Sequence, residues 1–429
     1  MSDRVAEPQA QPVDKLPPLS RNRDFLLLWS GQAISSFGNE LSEIAYPLLV
    51  LAATGSAARA GMVGSAELVA MLAMLLPAGA VADRWSRRTV MVVSSLVQLA
   101  ALGGVSAAIG AGWIPLWLLV VAGALEGAAG AFYIGASRGA IRRVVPAPQL
   151  SRALARTQAR DQAAAIGGPP SGGALFAVAR FLPFGLDAVS FAVAALAAAL
   201  VRGPLDAPSS SPRPSGSPFA GAGLGVGAGL CFVLGDRYLR VVAVWAAAVN
   251  AVATGMMLLV IVLARSRGAE PSQIGVITAT FSAGGLLGAL SAPRLIGRYS
   301  GRTMVLFASW LLVPCPVAMV LAPSPLLIGV AGAVSVCAIA PVNVILLTRA
   351  YELIPHEMQG RAGNAMLLCA NGLRWLAPVV FGALADSWGP VLPIVAGAGL
   401  YGITAVWLQG KGVLRQLDAP AVPAADVPV

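Results

Sequence analysis

Apolar runs of about twenty residues, broken by short charged or Gly- and Pro-containing segments, recur along this 429-residue chain from Phe25 to Leu408. Each run is long enough to cross a hydrocarbon core ~30 Å thick at about 1.5 Å per residue. The pattern predicts twelve helices, over 25–52, 60–82, 89–110, 114–136, 161–179, 182–201, 240–264, 273–293, 303–322, 326–347, 363–385 and 389–408. The runs are continuously apolar, whereas strands of a membrane barrel alternate apolar and polar residues over ~10 positions. The chain therefore reads as an all-α polytopic membrane protein.

Composition agrees: 57% of residues are hydrophobic and 11% charged, against about 25% charged in soluble domains. The charge is also lopsided. With both termini cytoplasmic, only Arg59, Arg180, Arg265 and Arg267 of the 29 Lys and Arg fall outside, and Arg374 falls inside a span, leaving 24 on cytoplasmic segments. That asymmetry is the positive-inside pattern. The net charge of +10 thus reports orientation and contact with anionic lipid head groups, not nucleic-acid binding. The uncharged stretch 217–235 tests the count, because making it a span would export Arg294, Arg298, Arg302, Arg349 and Arg361. It is read instead as a Gly-rich linker leading into a cytoplasmic amphipathic helix.

The chain opens with a polar tail carrying Pro8, Pro12, Pro17 and Pro18, without the apolar core of a signal peptide. Cys231, Cys315, Cys337 and Cys369 stand singly and read as small buried apolar residues, and His356 is the only histidine. No metal cluster, cofactor motif or catalytic group stands out, and no G-x-x-x-x-G-K-[ST] phosphate loop is present, so no enzymatic role is expected. The ratio of 27 Arg to 2 Lys, with abundant Ala and Gly, suits a GC-rich bacterial genome and places the chain in a bacterial inner or plasma membrane.

The Pro/Ser-rich stretch 204–218 divides the chain midway. The expected organisation is a cytoplasmic tail 1–24, a six-helix bundle 25–203, a cytoplasmic linker 204–239, a second bundle 240–409 and a cytoplasmic tail 410–429. A constant offset of 209 residues superposes Gly79 on Gly288, Pro146 on Pro355, Arg152 on Arg361 and Pro169 on Pro378. The two halves read as pseudo-symmetric repeats with a substrate path at their interface.

Two motifs narrow the class. Between the second and third spans stands Gly79-Ala-Val-Ala-Asp83-Arg84-Trp-Ser-Arg87-Arg88, and in the fifth stands Gly168-Pro169-Pro170-Ser171-Gly172-Gly173. They fit G-x-x-x-D-R-x-x-R-R and G-P-x-x-G-G, and on them the chain resembles the major facilitator superfamily over nearly its whole length. The segments RNRDFLLLWSGQAISSFGNELSEIAYPLLVL, SRGAIRRVVPAPQLSRA and LDAVSFAVAAL resemble its macrolide-efflux and siderophore-export branch. The resemblance implies that Asp83 latches a cytoplasmic gate by meeting the start of helix eleven, near Gly363 and Asn364, in the outward-open state. It also implies that the helix-five motif belongs to an antiporter. Two departures stand: Ala164 replaces the glycine that begins that motif, and Gly123 occupies the helix-four register where many drug exporters carry arginine. Physically, Gly79 allows close helix approach, Arg87 and Arg88 serve equally as basic anchors, and Gly172 and Gly173 beside Pro169 make a close-packed, kinked seam.

Glu40, Glu43, Glu67 and Glu126 lie inside predicted spans. An ionised group costs roughly 2.5–3.5 kcal/mol at a helix centre, so these side chains should face an interior cavity. Burial favours the neutral form of a carboxyl, the property that a proton-coupled carrier needs. Glu126 ranks first for proton coupling, then Glu40 and Glu43, then Glu67. Arg374, the only embedded cation, is a substrate-anion anchor, a partner that keeps a glutamate ionised, or a clamp on backbone carbonyls. Asn250, Asn343 and Asn371 read as interhelical hydrogen-bonding groups, and Asp187 and Asp386, near helix ends, as interfacial. The expectation is a monomeric secondary exporter that uses protons to expel a small amphipathic compound. An uptake symporter or lipid transporter on the same fold, or a non-transporting sensor or assembly partner, are the alternatives.

Overall fold

The computed structural model describes residues 18–203, 205, 218–355, 358–410, 412, 414 and 417, with the side chains of 76, 80, 82, 83, 218–226 and 360 outside the description. His356 lies outside it too. The helices are α1 (Arg23–Thr54), α2 (Ala57–Arg84), α3 (Arg87–Gly110), α4 (Leu116–Val144), α5 (Leu150–Val178), α6 (Leu182–Leu200), α7 (Pro218–Gly235), α8 (Arg237–Ser266), α9 (Pro271–Arg298), α10 (Gly301–Leu311), α11 (Pro314–Leu321), α12 (Pro325–Leu353), α13 (Gln359–Asn371), α14 (Leu376–Trp388) and α15 (Val391–Gly410). Among the described residues, ten helical segments are long and apolar enough to cross a bilayer by composition. Helices α1 and α5 complete the set of twelve. They fall short of that test because polar residues in α1 and the Gly- and Pro-rich run of α5 lower their hydropathy, and both are packed among the others.

Several helices outrun the apolar runs that predicted them. Helix α5 begins at Leu150, eleven residues before the expected 161, and α4 continues to Val144. Hydropathy registers only the part of a helix inside the bilayer, whereas arginine-rich segments remain good helix formers beyond it. Two expected spans are instead broken. The run 303–322 parts into α10 and α11 just before Pro314 and Pro316, and 363–385 parts at residues 372–375, one turn before Pro378. Proline removes the amide that would bind the carbonyl four residues back, so each break falls where a helical bond is already lost. The expected linker helix also differs. Helix α7 carries no charged residue and so is not amphipathic; its Gly229 lies against the Arg361 carbonyl, and Val233 is fully buried.

Helices α1 to α6 pack among themselves, as do α8 to α15, and the two groups meet chiefly through α2 on α14 and α5 on α9. In the first group Tyr46 of α1 stands edge-on to Phe184 of α6, ring centroids 5.0 Å apart. The second is built around α8, whose Tyr238, Leu239, Leu259 and Leu263 are fully buried. Large apolar side chains such as Phe307, Leu196 and Ile403 point outward, as expected of surfaces facing lipid. Glycines set the closest approaches: Gly284 and Gly288 of α9 lie against the backbone of Ala333 and Cys337 of α12, and Gly127 of α4 against the Glu67 carbonyl of α2. A leucine at Gly127 should drive α4 off α2, at about 1–3 kcal/mol or more for overpacking. Thermal unfolding of the purified variant checks this, and an unchanged melting temperature would refute it.

Candidate functional site

A cavity of about 560 Å³ opens between the two groups. Its polar wall includes Glu40 and Glu43 from α1, Glu67 from α2, Asn250 and Thr254 from α8, and Arg374 from the α13–α14 break; Tyr46, Met257, Leu258 and Ile261 supply apolar surface. Glu43 presents an exposed side chain to the cavity. Three of the four nominated glutamates therefore share one chamber with the nominated arginine.

Among the described residues, Arg374 neither pairs directly with a glutamate nor clamps backbone carbonyls. Its Nε donates to Thr254 Oγ1 at 3.0 Å and its Nη1 to Asn371 Oδ1 at 3.2 Å. Thr254 in turn donates to the Asn250 carbonyl at 2.8 Å, and Asn250 Nδ2 to the Ala370 carbonyl at 3.1 Å. The network ties α8 to the broken helix, and the guanidinium charge acts on Glu43 and Glu67 from there. The break at 372–375 is what brings Arg374 to the cavity.

Glu126 does not line the cavity. Only 9% of it is exposed, its Oε2 is buried, and the carboxyls of Glu67, Asp187 and Glu43 and the hydroxyl of Tyr46 stand around it. It sits one layer behind Glu67, where Gly127 lets α4 touch α2. Asp187 corrects its interfacial reading: it is 0% exposed between α1 and α6, accepting from Ser42 Oγ at 2.6 Å and Ser190 Oγ at 2.9 Å. Gly38 makes room for it, since a β-carbon there would collide with Asp187 and Ser190.

One polar element was missed. Arg160 and Asp161, at the start of the expected span 161–179, lie three turns inside α5, and the Arg160 side chain is almost entirely buried. Arg160 Nη2 meets Asp161 Oδ1 at 2.7 Å and Nη1 reaches Gln32 Oε1 at 2.8 Å, while Ser36 Oγ donates to Asp161 Oδ1 at 3.2 Å. Gln32, Ser36, Glu40 and Glu43, spaced by four, four and three residues, make a polar stripe on one face of α1. That spacing was visible in the sequence and could have shown the stripe.

The basic loops, around Arg84–Arg88, Arg138–Arg156 and Arg294–Arg302, lie at one end of the helices. The two groups close on each other toward the opposite, distal end. There Gly61 of α2 lies against the Pro378 carbonyl, Gly173 of α5 against that of Pro271, and Gly275 of α9 against that of Pro169. Arg265 Nη1 also reaches the Leu48 carbonyl at 3.3 Å. In the helix-five motif, Gly168 and Gly172 lie against α1, at Glu40 and at Leu41 and Ile44, whereas Pro169, Pro170 and Gly173 face α9.

At the basic end, Asp83 stands in the last turn of α2, but its side chain lies outside the described residues. Gly79 has open space where a β-carbon would stand, so the approach expected of it is not made in this arrangement. Arg84 is exposed. Arg87 Nη1 donates to the carbonyls of Gly139 (3.3 Å) and Leu205 (2.9 Å), and Arg88 Nη2 to that of Gly203 (3.3 Å), which makes both anchors within the first group. Cys231 is exposed rather than buried. No cluster of metal-ligating side chains occurs among the described residues.

A helical membrane protein with a polar chamber between two groups of six spans, closed at one end by glycine contacts, is a multi-pass transporter. The Major Facilitator Superfamily profile matches residues 28–366, and the chain belongs to that family. It is 29% identical to the multidrug efflux pump Tap of Mycolicibacterium fortuitum over 420 residues, 93% of this chain and 98% of that one. Identity to Tap of Mycobacterium tuberculosis (strain ATCC 25618 / H37Rv) is 28% over 426 residues, 95% and 97% of the two chains. The fold superposes with a TM-score of 0.76, at 14% identity and covering 94% and 99%, on a bacterial homologue of the human lysosomal transporter Spinster in an inward-facing, unoccupied conformation.

Proposed function

We propose that this protein is a proton-coupled exporter of small amphipathic compounds, with its basic end in the cytoplasm and its chamber open to that side. The observation that carries the reading is the chamber itself: Glu40, Glu43 and Glu67 face Arg374 across apolar walls, and the distal end above them is shut. Apolar surface with a few convergent charges suits an amphipathic cargo. Glu67 on the wall and Glu126 behind it, joined at the Gly127 contact, form a route by which a proton can pass between cavity and interior. The similarity to Tap pumps supports export, and the basic loops support the orientation.

A proton descending 100 mV supplies about 2.3 kcal/mol, enough to drive useful accumulation when added to a pH difference. The test uses inverted membrane vesicles energised to an acidic lumen, with a panel of amphipathic antibiotics and dyes. A transported compound should enter the lumen and discharge the pH gradient. Entry with the gradient intact would overturn proton coupling, and net movement out of the lumen would overturn export.

A further inference from the structure

The most specific contact at the distal end belongs to neither sequence motif. Asp386, in the last turn of α14, accepts hydrogen bonds from Ser56 Oγ at 2.6 Å, Ala57 N at 2.7 Å and Ala58 N at 3.1 Å. Ser56 is the N-cap of α2, so the carboxylate takes up two of the amides that a first helical turn cannot satisfy itself. It also brings negative charge to the positive end of the helix dipole, and Arg59, further into α2, adds a cation facing it. The backbones around this contact touch: Gly382 lies against the Ala57 carbonyl, and Gly61 against that of Pro378. Yet Asp386 itself is exposed, so water can replace its partners when the helices part.

We propose that Asp386 is the gating residue of the extracellular side, a carboxylate latch that holds α14 on the N-terminus of α2 while the chamber faces the cytoplasm. The inference rests on the basic end being cytoplasmic. Helices α2 and α14 then meet at the outer side through Asp386. At the inner side the last turn of α2, with Asp83, and the start of α13 are the corresponding ends of the same helix pair. A bond made in only one of two states shifts the balance between them without altering the cavity.

Accessibility measures this directly. With the four cysteines replaced by serine, a single cysteine at Ala253 on the cavity wall is labelled by a membrane-impermeant maleimide in intact cells and in inverted vesicles. The parent should react quickly in vesicles and slowly in cells. In Asp386→Ala, labelling in cells should rise about tenfold and labelling in vesicles should fall, the scale of one charge-assisted hydrogen bond. Asp386→Glu, which keeps the acceptor, should recover part of the parent behaviour. Ala58→Pro removes one amide donor at a first-turn position where proline is tolerated, and should shift labelling the same way by less. Cell labelling of both Asp386→Ala and Ala58→Pro within about twofold of the parent would overturn the latch. Faster labelling of the parent in cells than in vesicles would instead overturn the assignment of sides on which the outer-gate role rests.

Discussion

Leucine at Gly173 is expected to abolish transport while leaving the protein inserted and folded. Gly173 lies against the Pro271 carbonyl at the start of α9, so close that even a β-carbon would overlap it, and Gly275 meets Pro169 reciprocally. That contact joins α5 to α9 across the two groups and exists only while the distal end is closed. A bulky side chain there penalises the closed state alone. A differential penalty of about 3 kcal/mol would depopulate that state roughly 150-fold, enough to stall a cycle that must visit it. The control is built into the same motif. Gly168 and Gly172 face α1 within their own group, so leucine there should lower folded yield rather than trap one state. Export assays, together with maleimide labelling at the cavity wall, separate the outcomes, and normal transport by Gly173→Leu would remove the seam from the cycle.

Glu126→Gln should uncouple transport from proton movement. Glu126 is buried between α4 and α2, with Glu67, Asp187 and Glu43 facing it. An isosteric amide fills the same space but cannot release a proton. Because the replacement keeps the side-chain volume, the helices should stay packed and the protein folded. Substrate-induced discharge of the vesicle pH gradient should disappear while substrate binding persists. Discharge at the parent rate would exclude Glu126 and leave the carboxylates of the cavity wall, Glu40, Glu43 and Glu67, to carry the proton.

These expectations began in the linear pattern. The helical class and the number of spans follow from run length and the requirement that backbone groups in lipid be bonded within the chain, a condition local enough to read from composition. The embedded glutamates were equally legible, because a charge in an apolar run is conspicuous. Their placement around the chamber was not. Glu126, nearest mid-membrane by residue count, stands behind the chamber, whereas Glu67, ranked last, lines it. Run position gives depth along a helix, but which face meets a neighbour depends on how the helices pack.

Asp187 and Asp386 show the same limit from two sides. Both lie near helix ends, so both read as interfacial; one proves fully buried under Ser42 and Ser190, and the other bridges two groups of helices at the distal end. Hydropathy does not show Arg160 inside a helix, because it marks only the apolar part, whereas α5 itself begins at Leu150. By itself the sequence determined the class, the spans, the family motifs and the presence of buried charge. Tertiary structure alone decided which charges share a chamber, that a break before Pro378 carries Arg374 into it, and which end is shut. The reason is that hydrophobic periodicity acts over one or two turns, whereas these contacts join residues 120 to 330 positions apart.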